Sequence, residues 1–175
     1  MEGFVSITGF VDGFGHKVSN QKAVDYGWVK PFKGSTSGWD IDSRVEIPLG
    51  KNLFVNGGRQ MVCYAMGFRS PISNYVIQSF SVGTGTLAPK VTDTSLVNPI
   101  ILSNDLTYKA IDGVDFPSPF ISRTTFTLGI SDANGYLITE MGLLSGDGTL
   151  IARKSLSGIN KSSDWSPSLS WRTRW

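Results

Sequence analysis

The sequence predicts an all-β protein: an antiparallel β-sandwich of the jelly-roll-like kind, preceded by an irregular N-terminal arm. Composition is the first reason. Of 175 residues, twenty are glycine and eight proline, and only 17% are charged; a helical protein would be richer in Ala, Glu, Lys and Leu. The second reason is apolar and polar residues alternating with period two. The third is the Gly, Pro and Asn clusters that separate these stretches at short spacing, as in sandwiches and small barrels.

Taken in order, the N-terminal third is the least regular. "FVSITGFV" is strand-like, whereas "DGFGHKVSNQKAVDYGWVKPFKGSTSGWDI" mixes glycines, aromatics and lysines without period, with Lys22 to Tyr26 the one candidate helical turn. A boundary is expected near Pro48 to Lys51, dividing an arm, residues 1–48, from a sandwich, residues 49–175. "RQMVCYAMGF" reads as a short strand or a helix and "YVIQSFSVG" as a strand. In "RTTFTLGI" Phe126, Leu128 and Ile130 are expected to face inward, with Thr125 and Thr127 outward. "YLITEMGLL" and "TLIARKSL" flank Ser145-Gly146-Asp147-Gly148, which makes a hairpin. Asn134-Gly135, just before it, marks another turn. The chain closes on a half-buried strand with Leu169, Trp171, Thr173 and Trp175 on one face and Ser170, Arg172 and Arg174 on the other.

A chain of this length buries about two-thirds of its unfolded surface and forms a core without staples. Sixteen basic residues against fourteen acidic give a net charge of +2, too little to predict binding to nucleic acid. No apolar run reaches the roughly 18 residues a membrane-spanning helix needs, and Met1-Glu2-Gly3 does not open a signal peptide. A soluble protein made in a reducing cytoplasm is therefore expected. The single Cys63, in the apolar run "MVCYAM", is read as a buried, inert thiol.

The stretch "FSVGTGTLAPKVTDTSL", Phe80 to Leu96, has the look of a phosphate-cradling loop. Its spacing argues otherwise. A P-loop needs Lys directly after its second glycine, but Thr86 follows Gly85 and Lys90 sits behind Pro89. A dinucleotide fingerprint needs glycine or alanine at its third position followed by a helix; Ala88 is present, but no amphipathic helix follows.

No catalytic constellation emerges. The one histidine, His16, lies in a glycine-rich loop with no G-x-S-x-G elbow anywhere in the chain. One His and one Cys cannot close a tetrahedral metal shell. "SDANG" and "SGDG" lack the ligand spacing of an EF-hand. Among the acids, Asp40, Asp42, Asp112 and Asp115 sit in turn-like contexts. Glu140 differs: it lies inside the apolar strand "ITEMGLL", so it is expected to pair with an arginine or to cap backbone donors, and Arg153 on the opposite arm of the hairpin is the partner. Trp165, Trp171 and Trp175, beside Arg172 and Arg174, are suited to stacking on bases or sugars, but alternating Trp on a terminal strand is better read as core. The basic face of that strand, read as an edge strand, then blocks aggregation or docks a neighbour.

Four strings in order, "KNLFVNGGRQ", "VGTGTLAPKVTDTSLVNP", "NGYLITEMGLLSGDGTLIARKSLSGINK" and "SLSWRTRW", span roughly Lys51 to Trp175. Together they resemble structural proteins of tailed bacteriophages, with similar strings in small virion proteins and in attachment domains of tail fibres; the I-x-E-x-G-L hairpin and its D-G-T-L-x-A-R return are the most specific part. The resemblance implies a non-enzymatic virion protein of the tail, baseplate or fibre-attachment region, made in the host bacterial cytoplasm. It also implies a symmetric oligomer, trimer or hexamer, contacting other virion proteins, without cofactor, metal, nucleic acid, membrane or small-molecule substrate. By the same resemblance the glycine-threonine stretch is a turn and linker leaving a core strand, its exit fixed by Pro89 and Asp93-Thr94, and Glu140 with Arg153 is a structural pair. Candidate assembly contacts are Phe14, Trp28, Phe32 and Trp39 in the arm and Arg172, Arg174 and Trp175 at the end of the chain. A capsid decoration protein is the alternative, and a carbohydrate-binding or hydrolytic module a more distant one.

Overall fold

The computed structural model describes residues 2–12, 17–18, 47–102 and 105–174, of which residues 2–12, 17–18 and 47–51 are described by their backbone pairing alone. It is an antiparallel β-sandwich. Its strands are β1 (Glu2–Asp12), β2 (Lys17–Val18), β3 (Ile47–Phe54), β4 (Ile77–Gly83), β5 (Lys109–Ala110), β6 (Gly113–Ser118), β7 (Ile121–Thr127), β8 (Leu137–Ser145), β9 (Leu150–Asn160) and β10 (Trp165–Arg174). One helix, α1 (Asn56–Met66), and a 3₁₀ turn, Ile72–Tyr75, lie between β3 and β4.

The strand order is β5-β4-β8-β9-β3-β1-β10-β7-β6, with β2 beside β1. β3 is the corner of the sandwich. Its residues from Ile47 to Asn52 pair with β1 in one sheet, and Leu53 and Phe54 pair with β9 in the other. Phe80 of β4 and Phe126 of β7 stack across the two layers, with centroids 4.4 Å apart. Around them Val82, Ile138, Met141, Leu143, Leu169 and Trp171 form a single core. Burial of this apolar surface is the main term holding the layers together.

Period two holds on β7, where Ser122, Thr124 and Phe126 are buried and the residues between them half-buried. Leu128 is also buried, but Ile130 is 52% exposed. The strand ends at Thr127, and Gly129 and Asp132 close a turn in which Asp132 accepts the Gly129 N–H, so the inward alternation stops before Ile130. The hairpin forms as expected from its turn: Leu137 to Leu144 pairs with Leu150 to Asn160. Gly148 there takes φ +85°, a conformation open to glycine.

Three further expectations change. β10 is an internal strand, paired to β1 on one side and β7 on the other. The last strand in sequence is not the last in the sheet, because β1, from the other end of the chain, pairs along its free side. The division expected at residue 48 falls within β3, and β1 runs between β3 and β10, so Glu2–Asp12 belongs to the sheet. Lastly, "MVCYAM" is helical, and three-dimensional spacing decides its burial: Met61 faces the core and Cys63 is exposed.

Candidate functional site

Glu140 and Arg153 meet inside the fold, 0% and 1% exposed. Their strands place them. Gly142 stands opposite Arg153 in the β8–β9 register, and on the other side of β8 Gly83 stands opposite Glu140. The Arg153 Nε and Nη2 groups both donate to Glu140 Oε2, at 3.0 and 2.8 Å. The remaining acceptor capacity of the carboxylate goes to backbone: Oε1 accepts the N–H groups of Gly85 (3.1 Å) and Asn98 (2.7 Å), and Oε2 that of Val97 (3.1 Å). A carboxylate committed in this way, without solvent access, has nothing left for acid–base work on a substrate.

Arg153 extends the node. Its Nη1 donates to Asp93 Oδ2 at 2.6 Å and its Nη2 to the Leu87 carbonyl at 2.9 Å. Burial opposes ionisation of Asp93, but the Lys90 N–H and the Arg153 guanidinium outweigh it and hold the carboxyl below its ordinary value. The segment between β4 and Pro99 is therefore folded back over β8, tied at Gly85, Leu87, Asp93, Val97 and Asn98 to two side chains. Reciprocal bonds between Thr84 and Asn98, and from Thr139 Oγ1 to the Gly85 carbonyl, close its base.

The glycines of this segment follow from that geometry. A β-carbon on Gly83 would lie 2.6 Å from Glu140 Oε1, and one on Gly85 would collide with the same oxygen and with Val97. The Gly-Thr-Gly-Thr stretch thus gives room to a carboxylate of its own chain.

Three further acids, Asp112, Asp115 and Asp147, are taken up by partners within the fold. Asp115 pairs with Arg123, whose hydrogen bond holds the carboxyl below its ordinary value, and Asp112 accepts the Thr127 hydroxyl. Asp147 closes the hairpin turn by accepting from Ser145 Oγ and Thr149 N. Among the described residues no group of three His, Cys, Asp or Glu side chains is placed to hold a metal ion, and no helix is long and apolar enough to cross a membrane. Trp165 and Trp171 are fully buried, so neither is a stacking platform. Arg172 is half-buried on the outer face opposite Arg123 in register, and Arg174 is exposed. His16, Asp40, Asp42, the turn from Lys22 to Tyr26, and the assembly candidates Phe14, Trp28, Phe32, Trp39 and Trp175 lie outside the described residues.

A second feature had no signal in the sequence. Where the two layers part, between α1 and β6, an apolar groove of about 510 Å³ opens, floored by Phe54, Met61 and Ile151 and walled by Met66, Val114 and Phe116. Its residues come from distant parts of the chain, so no local pattern announces it. Comparison with protein-family profiles, with characterised proteins and with solved structures finds no match to this chain.

Proposed function

We propose that this chain is a non-enzymatic structural protein of a tailed-bacteriophage particle, a component of the tail, baseplate or fibre-attachment region that works as a symmetric oligomer. One observation carries the reading. The strings that resemble phage virion proteins, distant from one another along the chain, converge on one buried node: Gly85 and Asp93 from "VGTGTLAPKVTDTSL", Glu140 from "ITEMGLL" and Arg153 from "LIARKSL". What they build there is a fixed loop on a rigid sheet. The node spends its charged groups on one another and on its own backbone, as a scaffold does.

Immunogold labelling of purified phage particles encoding this chain tests the proposal by electron microscopy. Gold at the tail or neck is expected. Gold over the head would make the chain a decoration protein, and unlabelled particles would overturn the virion assignment altogether.

A further inference from the structure

Lys161, directly after the end of β9, is only 2% exposed, an unusual place for a lysine. Its Nζ reaches back to the turn that precedes β8. It donates to Asn134 Oδ1 at 2.8 Å, to the Ser162 carbonyl at 2.6 Å and to the Ile130 carbonyl at 3.4 Å. None of these acceptors carries a formal charge. Burial favours the uncharged amine and moves the Lys161 ionisation below its ordinary value, against the opposing pull of Asp132 and Asp164. Desolvation of this kind is one way a lysine becomes a nucleophile.

The backbone clamps the asparagine in place. Gly135 N–H donates to the Lys161 carbonyl at 2.8 Å and Lys161 N–H to the Tyr136 carbonyl at 3.1 Å, so residues 134 and 161 are held side by side although 27 positions apart. Asn134 Nδ2 donates in turn to the Ile130 carbonyl at 2.7 Å, which fixes the amide from its other end. Ala133, buried in the core, takes φ +52° to deliver it, a conformation that alanine keeps only where its surroundings enforce it. An asparagine before glycine is ordinarily attacked by the next backbone nitrogen. Here that N–H is committed to the Lys161 carbonyl, which leaves the Lys161 amine as the nucleophile at hand. Asp132, also buried, bears electrostatically on Lys161, and its Oδ2 accepts from Gly129 N and Lys109 Nζ.

We propose that Lys161 and Asn134 join in an intramolecular isopeptide bond. The Nζ lone pair attacks Asn134 Cγ, the Cγ–Nδ2 bond breaks, and one Nζ proton passes to Nδ2, which leaves as ammonia. The product is a secondary amide between Nζ and Cγ; nothing is oxidised or reduced, so the step needs no co-reactant. Asp132 is the buried carboxylate that carries the proton from Nζ to the leaving nitrogen. Holding the amine against the amide stands in for the concentration that separate molecules would need, on the order of 10⁵ M or more when well oriented. It is a single event per chain and not turnover. The link closes a covalent loop around β8 and β9, with Glu140 and Arg153 inside it, and so constrains the unfolded chain as a disulfide does. A chain whose one cysteine, Cys63, can form no internal disulfide gains the same kind of staple. The bond forms within one chain, whatever that chain assembles with.

Intact-mass spectrometry of the purified full chain, followed by fragmentation of its proteolytic peptides, tests it. The wild type is expected one ammonia lighter than its sequence requires, with a branched peptide joining Lys161 to Asn134. Asn134→Ala and Lys161→Arg are expected at their full sequence masses. Asn134 is exposed, so Asn134→Ala keeps the fold and decides the matter if Lys161→Arg does not fold. Asp132→Asn is expected to form the link roughly 10²-fold more slowly, and an unchanged rate would remove Asp132 from the reaction. A wild type at its full sequence mass after prolonged incubation would overturn the proposal. So would an ammonia loss that persists in Lys161→Arg on a linear peptide, because that is cyclisation of Asn134 onto Gly135.

Discussion

Glu140 Oε1 accepts the Gly85 N–H at 3.1 Å from the space that a β-carbon on Gly85 would need. Fifty-five residues apart in sequence, these two positions explain each other: the carboxylate is satisfied because the loop comes close, and the loop comes close because it carries glycine. Any side chain at residue 85 must push the loop off β8 or the carboxylate away from its donors.

Gly85→Ala is therefore expected to destabilise the fold by about 1–3 kcal/mol, the range for overpacking a closed site, although alanine is otherwise benign in loops. Chemical denaturation checks this. Thr86→Ala, at an exposed neighbour, serves as the control and is expected to change stability by no more than about 0.5 kcal/mol.

Removing one partner of the buried pair has a larger effect. Glu140→Ala leaves the buried Arg153 guanidinium with only Asp93 and the Leu87 carbonyl and orphans three backbone N–H groups. The expected loss is about 3–5 kcal/mol, read as a fall in melting temperature of roughly 10 °C. In a double-mutant cycle with Arg153→Met, the second substitution is expected to cost less than it does alone, because the stranded charge is gone.

Asp93 makes the node sensitive to acid in a defined direction. Its carboxyl is held below the ordinary carboxylate value in the folded chain, so its contribution is complete above the unfolded value of about 3.9 and is lost as pH falls through the lower folded value. The stability difference between wild type and Asp93→Asn is expected to be constant from pH 7 to 5 and to shrink below about pH 4. Urea titrations at stepped pH measure it.

Much of this fold was legible because side chains and period report it locally. β7, the β8–β9 hairpin and β10 announce themselves by alternation and turn residues, and Glu140 stood out because a lone acid inside an apolar strand needs a partner. What the chain does at a distance was not legible. Asp93, Leu87, Val97 and Asn98 reach the pair through loop folding, which no spacing rule encodes. The interior position of β10 depends on β1 arriving from the other end of the chain. Cys63 was misplaced because an apolar run names no face until its period is known to be helical.

The place of β1 yields a prediction of its own. Deleting residues 1–48 removes the strand between β3 and β10 and opens both to solvent. The truncated chain is expected to lose cooperative unfolding or to aggregate through the freed edges. A soluble product with an unaltered circular dichroism spectrum would show that the sheet does not need β1.

A chain built into a particle has a copy number that the particle's symmetry fixes. Quantitative mass spectrometry of gradient-purified phage particles is predicted to find the chain at a fixed number of copies per particle in independent preparations. Finding it only in the soluble fraction of the infected cell, with none in the particles, would show that the chain is not a component of the virion.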